Sequence, residues 1–172
     1  SATRDILPKP GQEQALNVAL LTEEATYWAS RPPQISAFGN IKMALMRPQT
    51  PFKMGAPRRE PGRRANEVER AVVLKRPFYL GVNEVSNRQF RLWRAEHSSS
   101  AISAQTLDMQ EQPVAMVSWQ DAARFCNWLS ERDDLTPFYQ LQNDRVDGQN
   151  WNANGYRLTT EAEWAWAARV AD

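Results

Sequence analysis

Apolar residues in this chain come in short runs broken by proline and polar clusters, and the helices they predict are marked by their caps more than by their length. The stretch Gly155-Tyr-Arg-Leu-Thr-Thr-Glu-Ala-Glu-Trp-Ala-Trp-Ala-Ala-Arg169 predicts a turn at Asn154-Gly155, an extended passage through Tyr156 and Leu158, and a helix opened by Thr160. Glu163 stands three residues beyond Thr160, the spacing at which a cap hydroxyl and a carboxylate each bind the other's backbone N–H. Ala162, Ala165, Ala167 and Ala168 keep this helix slim, while Trp164 and Trp166 point to different faces, which predicts packing on more than one side.

Ser118 opens a second helix, with Asp121 in its first turn and Ala122, Phe125 and Leu129 as its apolar stripe; Cys126 and Trp128 lie on neighbouring faces. A third helix is predicted from Ser86 to about Glu96, with Phe90 and Trp93 one turn apart and packed on a sheet. Strand-like runs fall at residues 40–47, 71–74 and 75–82, where Pro77 marks a strand start or an edge. Nearer the N-terminus an apolar run at residues 15–21 precedes a short helix at 22–30, which Arg31-Pro32-Pro33 must end. Residues 1–14, with Pro8, Pro10 and Gly11, read as an extended leader. The expected division is an N-terminal extension at 1–35 and a domain at 36–172.

Composition narrows the classes. A chain of 172 residues is long enough for one sizeable core, and seven Trp, six Phe and four Tyr give it large rings to bury. Twenty-one Lys plus Arg against 20 Asp plus Glu leave a net charge of +1, so no global field draws nucleic acid or a membrane surface. No apolar run approaches a membrane span, and residues 1–8 lack the apolar core of a signal peptide. Residues 57–70 interleave arginines 58, 59, 63, 64 and 70 with Glu60, Glu67, Glu69 and two prolines, which reads as a solvated surface loop rather than an anion dock.

The reactive side chains are few. His97, the one histidine, follows the third helix and reads as a partner for its C-terminal dipole. Cys126, the one cysteine, allows no internal disulfide, and only Arg124 on its own helix offers a cation to lower its pKa, so it reads as a buried structural thiol. Without a second histidine or cysteine, a nitrogen- or sulfur-rich metal site is not assembled from this chain. Asn150, Asn152, Asn154, Gly155 and Glu161 match the spacing of an EF-hand loop. That loop would offer a divalent ion one negative charge, and Glu161 is equally at home in the first turn of its helix.

The Gly155–Arg169 stretch resembles the signature of the formylglycine-generating enzyme family, the sulfatase-modifying factors, with Thr159 in place of the family's proline and Ala165 in place of its usual glutamate. Three further stretches resemble the family in order: Phe52-Lys-Met-Gly55; the run at 76–90, with Glu84 and Asn87; and the run at 113–129, with Trp119, Asp121, Ala122, Cys126 and Trp128. In the last stretch Arg157, Thr160, Glu161, Glu163, Trp164 and Arg169 complete the structural signature, and Trp119, Trp128 and Trp164 are expected in the core.

The resemblance implies an α+β domain of the formylglycine-generating-enzyme type, C-type-lectin-like, with little regular secondary structure. It also implies oxidation of a cysteine in a substrate peptide or protein to formylglycine, with molecular oxygen and a copper ion held by two cysteines. In the family those cysteines and the usual calcium ligands follow the signature helix, and the helix cysteine is commonly structural, sometimes disulfide-bonded to the C-terminal half. The chain is therefore expected to hold the N-terminal portion of the domain, with no catalytic, cofactor or metal residue of its own. Its partner is then the C-terminal half or another protein chain. A binding or scaffold module of the bacterial cell envelope or periplasm on the same fold is the alternative; an iron-dependent sulfoxide synthase lacks its histidines here.

Overall fold

The computed structural model describes residues 23–65 and 67–170; the apolar run at 15–21 and the leader before it lie outside them. Among the described residues, those up to Arg31 and those from Pro32 on form separate units. In the first, α1 (Glu23–Ala29) ends before the two prolines as predicted. Tyr27 and Trp28 meet edge to face, and the Arg31 guanidinium lies 4.0 Å from the Tyr27 ring centroid.

The second unit mixes short helices with short antiparallel strands. β1 (Gln34–Ala37), β2 (Ile41–Met46) and, further along the chain, β5 (Phe78–Gly81) form its three-stranded sheet, in the order β1-β2-β5. β3 (Phe52–Met54) pairs with β4 (Arg70–Val72). Gly55 closes the Phe-Lys-Met-Gly turn at φ +99°, where a Cβ would run into the Val68 carbonyl, so only glycine fits. α2 (Asn87–Arg91) begins on a reciprocal capping box between Ser86 and Gln89. Two small hairpins follow: β6 (Ala101–Ile102) with β7 (Gln105–Thr106) and, beyond α3 (Trp119–Arg132), β8 (Tyr139–Gln142) with β9 (Arg145–Gln149). α4 (Glu161–Val170) comes last. Helix starts at Ser86, Ser118 and Thr160 agree with the sequence reading.

Three clusters divide the core. Phe90, Phe125 and Leu129 join α2 to α3 above β1 and β2; Phe52, Met54, Ala165 and Trp166 join β3 to α4; Ala123, Cys126, Phe138 and Tyr139 join α3 to the β8–β9 hairpin. Tyr156 touches the first and third.

Four expectations are corrected. α2 stops at Arg91 instead of running to about Glu96. Beyond it the bonds tighten to Leu92 N–H on Gln89 and Trp93 N–H on Phe90, with one last turn from Arg94 N–H to Phe90, and the Arg91 side chain is drawn to the His97 carbonyl at 2.9 Å. Trp164 is 65 % exposed and Trp119 51 %, neither in the core. α4 lays one face on β3, and Trp164, roughly 200° around the helix from the buried Trp166, lies on the opposite face. Among the described residues α4 therefore buries one side, not several. His97 does not serve the helix terminus: its ring sits 4.7 Å from that of Phe90, and Nε2 lies 3.0 Å from the Ala115 carbonyl.

Candidate functional site

The β8–β9 hairpin and the start of α3 enclose the described region's candidate site. Asn143 and Asp144 both take positive φ, giving the two-residue turn whose twist suits a hairpin. Asn127, on α3, fixes β8 from outside: its Nδ2 donates to the Tyr139 carbonyl at 2.7 Å and its Oδ1 accepts the Tyr139 N–H at 3.0 Å. Gln120, two turns earlier, accepts the Val146 N–H at 2.9 Å and so holds β9. The side-chain rings continue this frame, Trp119 against Tyr139, Tyr139 against Phe138 and Phe138 against Trp151, each edge to face with centroids 5.0–5.6 Å apart.

An open cleft of about 480 Å³ lies along β9, lined by Trp119, Val146, Asp147, Gly148, Gln149 and Trp151. Trp151 is 63 % exposed. A second cleft of about 360 Å³ shares Trp151 and runs between the strand-linking residues 74–78 and the Arg157–Glu163 pair. That pair is bidentate, at 2.7 and 2.6 Å, with the Arg157 guanidinium 5.7 Å from the Phe138 centroid. Burial opposes ionisation of Glu163, yet its bonds to Arg157 and to the Thr160 backbone outweigh burial and hold its pKa below the usual range.

The signature residues serve this framework in different ways. Asn87 is fully buried and donates to the Leu107 and Met109 carbonyls, both at 2.8 Å. Asp121 accepts from Arg94 at 2.8 Å and Ser118 at 2.7 Å, which lowers its pKa. Ala122 is half-buried on α3, and Trp128 lies between the Phe38 and Phe125 rings. Thr160 and Glu163 cap α4 reciprocally at 2.8 and 3.2 Å. Arg169 ties the end of α4 to the Lys53 and Gly55 carbonyls. Glu84 is exposed, and Glu161 approaches Arg70 only at 3.8 Å.

Cys126 is buried among Ala123, Phe138 and Tyr139, and desolvation pushes its thiol up to about 12. Its surroundings do not suit copper, which needs an ionised thiol. The EF-hand spacing does not converge either: the Asn150 side chain accepts from the Asn152 N–H, the Asn154 side chain from the Thr136 N–H, and Glu161 lies on α4. Among the described residues no three His, Cys, Asp or Glu side chains gather as a metal site, and no helix is long and apolar enough to cross a membrane.

Several organising residues lie outside the sequence reading. The 98–112 loop, for which the sequence predicts no element, holds Ser99, which is fully buried, donates to Asn87 Oδ1 and accepts the Ala115 N–H at 2.9 Å. Asn127 and Ser130 are polar positions on the inward side of an amphipathic helix, and that mismatch is the signal that would have found them. The Asn143-Asp144 pair between two short runs is a hairpin signal of the same kind.

The sequence matches the model of the sulfatase-modifying factor enzyme 1-like domain (FGE-sulfatase) over residues 37–172. It is 33 % identical over 105 residues to the chaperone protein LppX of Paenibacillus barcinonensis, covering 53 % of this chain and 35 % of that protein. The fold is similar to that of Treponema denticola variable protein 1, with a TM-score of 0.57 at 24 % identity, over 78 % of this chain and 55 % of that one. The chain thus spans about a third of the first relative and about half of the second.

Proposed function

Because the chain belongs to the sulfatase-modifying-factor family and has its α+β, C-type-lectin-like fold, we propose that it is a recognition module, one that holds a protein segment and does no redox chemistry with its own residues. One contrast along α3 carries the reading. Trp119 and Cys126 are two turns apart on one side of the helix, yet the thiol is sealed while the indole stands half in water over a cleft that Trp151 borders. A reacting sulfur needs access and an ionised form, and Cys126 has neither. Exposed aromatic rings around a concavity are what a protein-binding surface uses. The name chaperone borne by one relative supports a protein-binding role.

The family's oxidase reaction, conversion of a substrate cysteine to formylglycine with copper and oxygen, is the competing reading, and a cell-envelope setting belongs to the module reading as a proposal. The chain's residues do not fit copper, so no step is assigned to it. The test has two arms on the whole 172-residue chain. In the first, light scattering follows aggregation of an unfolding client, reduced α-lactalbumin, with and without the chain; suppression that weakens in Trp151→Ala is expected, and no suppression overturns the reading. In the second, mass spectrometry follows a Cys-x-Pro-x-Arg peptide with chain, copper and oxygen; formylglycine in the product overturns it as well.

A further inference from the structure

We propose that the outer edge of β9 receives an extended polypeptide as an added strand, with a lysine or arginine side chain of that strand seated against Trp119 beside Asp147. The inference rests on the recognition reading and names its partner.

The hydrogen-bond pattern of the hairpin carries the first half. Tyr139 faces Gln149 in the β8–β9 register, but both main-chain groups of Tyr139 are spent on Asn127. The Tyr139–Gln149 pair is therefore a non-hydrogen-bonded one, as the Asn150 N–H to Phe138 carbonyl bond beside it requires. It follows that the N–H and C=O of Gln149 point away from β8, toward the cleft that Gln149 lines. At the other end of the edge, beyond a bulge that leaves Asp147 without a partner on β8, the Gln120 side chain accepts the Val146 N–H, making from α3 the bond that a strand would make. β8 is thus closed by a side chain, and β9 is closed at Val146 but open at Gln149. An open strand edge beside side-chain pockets is the geometry of strand addition, in which main-chain bonds hold the peptide and side chains select it.

Charge selects the side chain. Asp147 is the one ionisable residue lining this cleft, which the exposed indoles of Trp119 and Trp151 also line; the Arg157 guanidinium already lies 6.0 Å from the Trp151 ring centroid, which leaves the Trp119 ring and Asp147 for an incoming cation. Indole faces attract a cation, and a carboxylate beside them adds a charged hydrogen bond. A lysine or arginine satisfies both groups.

The test titrates the whole chain with an acetylated, amidated peptide of sequence Thr-Val-Thr-Lys-Thr-Val-Thr, read by tryptophan fluorescence and amide shifts. Two controls replace the lysine with norleucine or methylate alternate backbone nitrogens. Binding of the lysine peptide is expected, with at least a tenfold loss for either control. Asp147→Asn should remove the preference for lysine over norleucine, and Gln149→Pro should abolish binding while sparing the β8–β9 ladder, because the lost N–H faces outward. Circular dichroism and urea midpoints of both variants confirm that the fold survives. Equal binding of the methylated peptide, unchanged binding to Gln149→Pro, or occupation of the cleft by a second copy of the chain in solution overturns the inference. If α-lactalbumin is still protected while the lysine peptide fails to bind, strand addition falls and the recognition reading stands.

Discussion

The side-chain amide of Asn127 satisfies both main-chain groups of Tyr139, donating at 2.7 Å and accepting at 3.0 Å, all of it buried. One residue on α3 thereby does for β8 what a third strand would do. Asn127→Ala leaves a buried donor and a buried acceptor without partners, at roughly 1–3 kcal/mol each. The urea midpoint should fall accordingly with the m-value unchanged, and the edge-to-face signature of Trp119 on Tyr139 in near-ultraviolet circular dichroism should weaken. A variant as stable as the parent would mean that the hairpin is held by its apolar face alone.

The Arg157–Glu163 pair predicts a definite pH dependence. Glu163 has a native pKa below its ordinary value, so the pair's stabilisation is fully present above the unfolded carboxylate range, about 4.3, and is lost as pH falls through the depressed native value. Thermal melts from neutral pH downward should show a smaller decline in Glu163→Gln than in the parent. At neutral pH that variant should itself lose roughly 1.5–3 kcal/mol, the worth of hydrogen bonds to a charged group.

Cys126 supplies a kinetic check. With its thiol pushed up to about 12 by burial, almost none is ionised near pH 8. Reaction with a thiol-disulfide reagent should be slow in the native chain and fast in urea, tracking unfolding. Rapid native labelling would mean that the α3–hairpin cluster opens readily and that the thiol is available for chemistry.

The sequence was most readable where one residue decides a local outcome. Ser86, Ser118 and Thr160 cap their helices because a hydroxyl in that position meets free N–H groups whatever surrounds it. The β4 and β5 runs are legible for a different reason, their strings of strand-forming residues. Side-chain exposure is not. A capped helix start says nothing about what covers it, so Trp119, at the first position of α3, was assigned to the core although it borders an open cleft. The candidate site itself depends on Asn127, Gln120 and Asp147, which meet only once the hairpin folds back on α3. Helical spacing puts Gln120 and Asn127 on one face of α3, but no periodicity brings Asp147 to them.

Ser99 tests a loop in which the sequence predicts no helix or strand. Its hydroxyl donates to Asn87 and accepts the Ala115 N–H, and its own N–H donates to Asp108 at 2.6 Å, which lowers the Asp108 pKa. Ser99→Ala should cost roughly 1–3 kcal/mol for each buried group it leaves unpaired, whereas Ser98→Ala, one residue earlier and exposed, should stay within about 0.5 kcal/mol. Chemical denaturation of the two variants side by side decides whether this loop is a structural hub.

The two tryptophans of α4 give the sharpest contrast. Trp166 is 7 % exposed among Phe52, Met54 and Ala165, with its ring 6.4 Å from that of Phe78, whereas Trp164 is 65 % exposed. Both carry the same side chain on the same helix, so a difference between them reports packing and not propensity. Trp166→Ala should destabilise by about 3–5 kcal/mol, because it removes a buried ring and leaves a cavity between β3 and α4. Trp164→Ala should cost under about 0.5 kcal/mol, the range for an exposed surface substitution. Acrylamide should quench the fluorescence lost in Trp164→Ala and spare that lost in Trp166→Ala. Comparable losses of stability in the two variants would mean that the second face of α4 is also covered, and Trp164 would then belong to an interface in the assembled protein.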